Sequence, residues 1–299
     1  MTVMIIGANG QLGQDLMSVF DDEAVGLTHD DLDVRDAVSV IAAMQAYRPD
    51  WVINTAAVHN VEECERNSAL AYAVNASGAC NVARAANEIG AGVAYISTDY
   101  VFGGAVRSRR NPFREDATTH PLNMYGVTKR AGERMIMTSS NRHLIVRTAG
   151  LFGLATSRKG WTFPELMVTK ARSGEQLRVV NDQVLSPTNT ADLARTIRDL
   201  IQNEVTGLVH VTNEGECSWY EFACEALKIA GVRATIEPVQ TEYARDRARR
   251  PSYSALDSLT LGNNEVDRLR HWGEALEQYL REKDLVFHVG GTARKAVPR

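Results

Sequence analysis

Residues 2–13 read Thr2-Val3-Met4-Ile5-Ile6-Gly7-Ala8-Asn9-Gly10-Gln11-Leu12-Gly13, and the class of the fold follows from them. Thr2 to Ile6 is an apolar run of strand length, after which Leu12, Leu16, Val19 and Phe20 recur at helical spacing. Gly7, Gly10 and Gly13 therefore lie on the turn between a first strand and a first helix. Glycine there permits a tight turn, lets backbone approach a pyrophosphate and lets the helix pack close to the sheet. The helix N-terminus adds free N–H groups and a partial positive charge for phosphate oxygens. A glycine cluster elsewhere would be punctuation only. At this place it predicts a dinucleotide site built on Gly7, Gly10 and Gly13.

Outward from this stretch, Val25 to Leu27 reads as a weak second strand. Val38, Ile41, Ala42 and Gln45 mark a helix that stops before Pro49. Trp51 to Asn54 is a third strand, and a long alanine-rich helix follows from about Ala69 to Ile89. Val93 to Ser97 and Leu144 to Arg147 are further strands, with a helix carrying Tyr125 to Met137 between them. Strands separated by helices of this length imply right-handed crossovers and a parallel sheet covered on both faces. The expected fold is α/β, a Rossmann-type doubly wound parallel sheet with a smaller C-terminal substrate lobe. Residues 1–148 form the dinucleotide-binding domain, with a returning segment near 188–212 whose strand spans Gly207 to Thr212. Helical patterns at Phe163 to Ser173, Ser218 to Ala230 and His271 to Leu280 assign 149–187 and 213–285 to the lobe. Residues 286–299 have little periodicity and read as a flexible tail.

The chain of 299 residues is 44% apolar, which suits a sizeable buried core. It has no apolar run of about 18 residues, and its opening residues carry no basic lead or cleavage site, so no membrane partner is expected. A net charge of −4 argues against non-specific nucleic-acid binding. The basic runs Arg107 to Arg114 and Arg245 to Arg250 are of a kind that surface loops often carry. Cys64, Cys80, Cys217 and Cys224 lack paired CxxC spacing. Free thiols in a reducing, cytoplasmic setting are therefore expected rather than a zinc site or disulfides.

The end of the second strand bears on the choice between NADPH and NADH. An acid there would take the ribose 2′-hydroxyl and repel a 2′-phosphate. The chain gives Leu27-Thr28-His29-Asp30-Asp31. Thr28 and His29 tolerate a 2′-phosphate, Asp30 suits NAD, and both cofactors stay open.

Tyr125-Gly126-Val127-Thr128-Lys129 sets a phenol and an ammonium at i and i+4 on one helix face. Reduction of a ketone creates alkoxide character that needs a proton donor within hydrogen-bond reach. A phenol, with a pKa near ~10, is a reluctant donor unless a neighbouring cation stabilises the phenolate. Lys129 supplies such a field and can also hold a nicotinamide ribose. The spacing alone is common; its context is not. It follows a strand ending in Ser97-Thr98-Asp99-Tyr100-Val101-Phe102, at the edge where such sheets bind ligands. Thr98 is the expected partner of a substrate carbonyl and Ser97 the second choice. The blander reading, strand-end hydroxyls capping a turn, stands beside it.

With these residues the chain resembles the dTDP-4-dehydrorhamnose reductases, within the extended short-chain dehydrogenase/reductases. The resemblance runs from Gly7 to about Leu280. Besides the Gly7–Gly13 loop it covers Arg48 to Ala57, Ala73-Val74-Asn75-Ala76, Ser97 to Phe102 and Pro121 to Lys129. Asn181-Asp182-Gln183, Ser186-Pro187-Thr188, Ser218 to Ala223 and Ala248-Arg249-Arg250-Pro251 complete it. It implies reduction of the 4-keto group of a dTDP-4-keto-6-deoxy sugar by NADPH or NADH, with Thr98, Tyr125 and Lys129 catalytic. It further implies cofactor contacts from Gly7, Gln11, Leu12, Asp33, Ala56 and Ala57, with Val34 beside Asp33 bordering the adenine. Asp99, Arg249 and Arg250 would line the nucleotide-sugar site, where a guanidinium can grip a diphosphate. Some members form a homodimer, in cases through a carboxylate-bound Mg²⁺; no carboxylate cluster here places one, and no metal is expected.

The chain also departs from the family. Where the family continues Ser-Trp-Val-Tyr after Arg-Thr, this sequence reads Ala149-Gly150-Leu151-Phe152-Gly153. Val58 to Glu65 replaces another family segment, and the loop from Gly103 to Glu115 is unusually basic. These changes touch the sugar rather than the reductase chemistry. The alternatives are a 4-ketoreductase for another nucleotide-linked deoxysugar, an epimerase or dehydratase with retained NAD, and a non-catalytic dinucleotide-binding regulatory subunit.

Overall fold

In the computed structural model the described residues are 1–104, 111–155, 160–242, 247–262 and 266–286. The expected tail from 287 onward, and the basic stretches 105–110 and 243–246, lie outside them. β1 (Val3–Ile6) is completely buried, consistent with a strand apolar on both faces. α1 (Gln11–Phe20) follows and buries Leu12, Gly13, Leu16 and Phe20. β2 (Ala24–Leu27) pairs in parallel with β1, as does β3 (Trp51–Asn54). α2 (Ala37–Tyr47), between them, is capped by Asp36, whose carboxylate accepts from Val38 and Ser39 N–H.

The alanine-rich region is not one uninterrupted α-helix. Short helices α3 (Val61–Arg66) and α4 (Ser68–Tyr72) lead into a π-helical segment, Ala73–Gly78, and then α5 (Ala79–Glu88). The sequence pattern fails here for a physical reason. The wider turn carries the Asn75 carbonyl to the Tyr95 hydroxyl, 2.7 Å away, and its side chain to Val58 and Thr128. These bonds compensate for the irregular ladder.

β4 (Gly92–Thr98), α6 (Met124–Ser139) and β5 (His143–Thr148) complete the first half. Three further strands are short or peripheral: β6 (Leu151–Phe152), β7 (Leu177–Val180) and β8 (Val184–Leu185), with α7 (Phe163–Arg172) ahead of β7. β9 (Thr188–Asn189) runs into α8 (Thr190–Gln202), and β10 (Gly207–His210) then joins β5 in parallel. The main sheet has the order β10-β5-β4-β3-β1-β2. Leu12, Leu16 and Phe20 of α1 and Leu193, Ile197 and Leu200 of α8 cover one face; Val82, Ala83, Ala86 and Ile136 of α5 and α6 cover the other.

The remaining elements are β11 (Asn213–Glu214), β12 (Cys217–Ser218), α9 (Trp219–Ile229), β13 (Ile236–Val239), β14 (Leu269–His271) and α10 (Trp272–Glu282). With α7 they build a third apolar cluster around Phe152, Phe222, Trp272 and Tyr279. No helix among the described residues is long and apolar enough to cross a membrane.

Candidate active site

The turn after β1 is shaped as the glycines require. Gly7 has φ +85°, and a Cβ there would lie 2.4 Å from Thr55 Oγ1. A Cβ on Gly13 would lie 2.2 Å from the Gly7 carbonyl, so helix and turn touch backbone to backbone. Gly10 caps α1 without a side chain, whereas the caps of α2, α6 and α8 use Asp36, Asn123 and Asn189. The leading N–H groups of α1 are thus left to a ligand of phosphate chemistry, and the cradle fits a dinucleotide. Leu12 packs its side chain into the core, so its contribution is its N–H. Gln11 directs Nε2 to the Gly153 carbonyl, 3.3 Å away, which ties the turn to the segment after β6.

At the end of β2, Asp31 folds back to accept from Thr28 N and Oγ1 at 2.9 and 2.7 Å. His29 and Asp30 remain exposed. Asp33 is bound by Arg35, with contacts of 2.5–2.9 Å, and those hydrogen bonds lower its pKa to about 2. Val34 is 4% exposed and belongs to the core, so any contact with a bound base falls to its backbone. Ala56 and Ala57 lie half-buried just beyond β3.

Thr98 ends β4. Its hydroxyl accepts from Tyr100 N–H at 3.2 Å, donates to Asp99 Oδ1 at 3.0 Å, and lies beside the Tyr125 phenol. Burial raises Asp99 to about 6 against the bonds from Ser254 and Thr98, which oppose the shift. Asp99 is therefore a buried brace for Thr98 and Ser254; its carboxylate is not an open substrate contact. Burial likewise pushes the Tyr125 phenol up, which keeps it protonated as a donor must be. Its ring meets Tyr100 edge to face, with centroids 5.8 Å apart.

Lys129 is 2% exposed, with Nζ 3.8 Å from the centre of the Tyr95 ring. Burial lowers its pKa to about 7, although the carboxylate of Glu133 pulls the other way. α6 holds this pair in place from its first turn. Asn123 accepts from Gly126 N–H at 2.9 Å, and Gly126 is needed because a Cβ would lie 2.1 Å from the Tyr100 carbonyl. Cys64 packs nearby, but burial raises its thiol to about 11, so it is no nucleophile.

Ser97, the second hydroxyl expected at the substrate, is corrected by the structure. Strand alternation turns it to the opposite face from Thr98, where it donates to Glu133 Oε1 at 2.6 Å. Glu133 is fully buried and also takes two bonds of 2.8 Å from Arg147 and one of 2.9 Å from Arg130. Burial alone would raise Glu133, but these bonds hold it below its ordinary pKa.

Arg249 and Arg250 arrive from the distant C-terminal half. Asn123 Nδ2 donates to the Arg249 carbonyl at 2.8 Å, and the Arg249 side chain is exposed. Arg250 lies 3.2 Å from Glu62 and beside the Tyr100 hydroxyl. Glu62 also accepts from Ala248 N–H at 2.9 Å, and Pro251 packs on Gly103. Glu62, Asn123 and Glu133 are site-shaping residues that sequence reasoning passed over. Only Glu133 had a signal, as the next i+4 position after Tyr125 and Lys129. Gly150 has φ +52°, and a Cβ there would lie 2.6 Å from Leu185 Cδ1. A tryptophan placed here would meet Leu185 and a backbone conformation that side chains rarely adopt.

A parallel sheet with a glycine turn after its first strand, and a Thr–Tyr–Lys group at its fourth, defines an extended-type short-chain dehydrogenase/reductase. Residues 1–285 match the model of the RmlD substrate binding domain, and the chain belongs to this family, that of the dTDP-4-dehydrorhamnose reductases. Over 284 residues, 94% of this chain and 97% of the relative, it is 38% identical to the spore coat polysaccharide biosynthesis protein SpsK of Bacillus subtilis (strain 168). It is 36% identical over 285 residues to the dTDP-4-dehydrorhamnose reductase of Streptomyces griseus, covering 92% of this chain and 91% of that one. The crystal structure of dTDP-4-dehydrorhamnose reductase from Bacillus anthracis str. Ames in complex with NADP superposes with a TM-score of 0.88. That pair shares 37% identity and covers 94% of this chain and 100% of the other.

Proposed function

We propose that this protein reduces the 4-keto group of a dTDP-4-keto-6-deoxy sugar, in the first place dTDP-4-dehydrorhamnose to dTDP-L-rhamnose, with NADPH or NADH. The carrying observation is the Tyr125 phenol set beside the Thr98 hydroxyl, with Lys129 buried one helical turn further on. Bound nicotinamide supplies the hydride. Tyr125 donates its proton to the oxygen that gains charge, and Thr98 orients that oxygen. Lys129, placed to hold the ribose, steadies the phenolate that remains. Gly7, Gly10 and Gly13 with the N–H groups of Gln11 and Leu12 receive the pyrophosphate; Ala56, Ala57 and Asp33 flank the rest of the dinucleotide. Arg250, held by Glu62 beside Tyr100, and the exposed Arg249 would take the nucleotide diphosphate.

The proposal includes the division into a dinucleotide-binding unit, 1–148 with 188–212, and a substrate lobe. A cytoplasmic setting agrees with four free thiols, and a homodimer is compatible with the family. The departure at Gly150 supports a second reading in which the ketone belongs to another nucleotide-linked deoxysugar. The test is oxidation of NADPH or NADH that depends on a nucleotide-linked 4-keto-6-deoxysugar and disappears in Tyr125→Phe. Cofactor oxidation independent of the sugar, or none at all with such ketosugars, would overturn it.

A further inference from the structure

Thr148 closes β5, and its hydroxyl is buried without a hydrogen-bond partner among the described residues. A buried hydroxyl left unpaired is costly, so native proteins nearly always supply a partner from protein, water or ligand. The two residues that follow, Ala149 and Gly150, have no polar side chain to offer. Thr148 is also the parallel register partner of Thr98 on β4. Alternation along the strands puts both side chains on the α1–α8 face, with Leu144 and Val146 below one and Ala94 and Ile96 below the other.

The strand order gives this hydroxyl a direction. The phosphate turn follows β1, Ala56 and Ala57 follow β3, and Thr98 ends β4; the next strand along the sheet is β5. A dinucleotide laid from the phosphate turn would bring its reactive ring carbon to Thr98 and Tyr125. The carboxamide sits on the ring carbon next to that one, and would reach the end of β5 when the ring lies with that edge toward Thr148. We propose that the Thr148 hydroxyl hydrogen-bonds the nicotinamide carboxamide and so fixes which way the ring lies against Thr98 and Tyr125. The assignment rests on the dinucleotide reading above.

The test compares two ligands on three proteins by titration calorimetry: oxidised NADP, and 2′-phospho-ADP-ribose, which lacks the nicotinamide. Thr148→Val keeps the shape and removes the hydroxyl; Thr148→Ser keeps the hydroxyl. The valine variant is expected to bind NADP roughly five- to tenfold more weakly and the truncated ligand unchanged, with serine close to the original. The ligand-free valine variant should melt at the same temperature or higher, because an unpaired hydroxyl has gone. Equal NADP affinity in the valine variant, or equal loss for both ligands, would overturn the assignment. Failure of the unsubstituted protein to bind oxidised NADP or oxidised NAD would overturn the dinucleotide reading and this assignment with it; if only NAD binds, the same comparison is made with NAD and ADP-ribose.

Discussion

At the scale of single residues, Tyr125 and Lys129 are poised by burial, and burial acts on them oppositely. It keeps the phenol protonated and weakens the ammonium's hold on its proton, down to about 7 in the ligand-free protein. Tyr125→Phe should leave the circular dichroism unchanged and lower kcat by about 10²- to 10⁴-fold. The alkaline side of the pH profile should belong to Lys129. As pH rises through about 7 its charge is lost, so kcat/KM for reduction declines; Lys129→Arg, if it turns over, should move that decline upward. Stability runs the other way. The unfolded chain binds more protons between about 7 and the ordinary lysine value of 10.5, so the ligand-free protein gains stability across that window. Lys129→Met should therefore abolish turnover yet raise the thermal midpoint, most of all below pH 7 and least near pH 10. A lower midpoint at every pH would contradict this account of the buried ammonium.

At the scale of elements, α6 ties Tyr125 and Lys129 to the sheet through Glu133. Its bonds to Arg147 and Ser97 are buried on every side, so solvent does little to soften their loss. Glu133→Gln leaves the Arg147 guanidinium underpaired, a change of about 3–5 kcal/mol. The thermal midpoint should fall by roughly ten degrees, as calorimetry would record. Gly13→Ala should abolish dinucleotide binding, because the added methyl carbon meets the Gly7 carbonyl at 2.2 Å. The glycine turn was readable because strand, turn and helix are adjacent in sequence. That Thr98 and the Tyr125–Lys129 face lie together was readable for a similar reason, as a strand end and an i,i+4 pair. Ser97 was misread because sequence does not say which face of a strand end a hydroxyl takes when both faces are covered. The π-helical turn at Asn75 escaped because it is set by the Tyr95 hydroxyl, a contact across 20 residues.

At the scale of the whole molecule, the decisive contacts join residues far apart in the chain. Glu62 holds Ala248 and Arg250 across 186 positions in the first case, and nothing in local periodicity announces it. With both side chains about a third exposed, the Glu62–Arg250 pair contributes under ~1 kcal/mol to stability. Its effect is positional. Glu62→Gln should raise KM for the nucleotide sugar several-fold while the dissociation constant of NADPH and the thermal midpoint stay put. A shift in both ligands would show that the pair supports the fold at large. The sheet order was legible only as a class, since β10 reaches β5 after about 60 intervening residues; the altered Ala149–Gly153 stretch leaves the sugar's identity to chemistry. The most direct test is incubation with dTDP-4-dehydrorhamnose and either NADPH or NADH, followed by NMR of the product. Cofactor oxidation is expected, matched by a nucleotide sugar reduced at C4 with the L-rhamno configuration. Recovery of unreduced ketosugar with both cofactors, although dinucleotide binds, would contradict it.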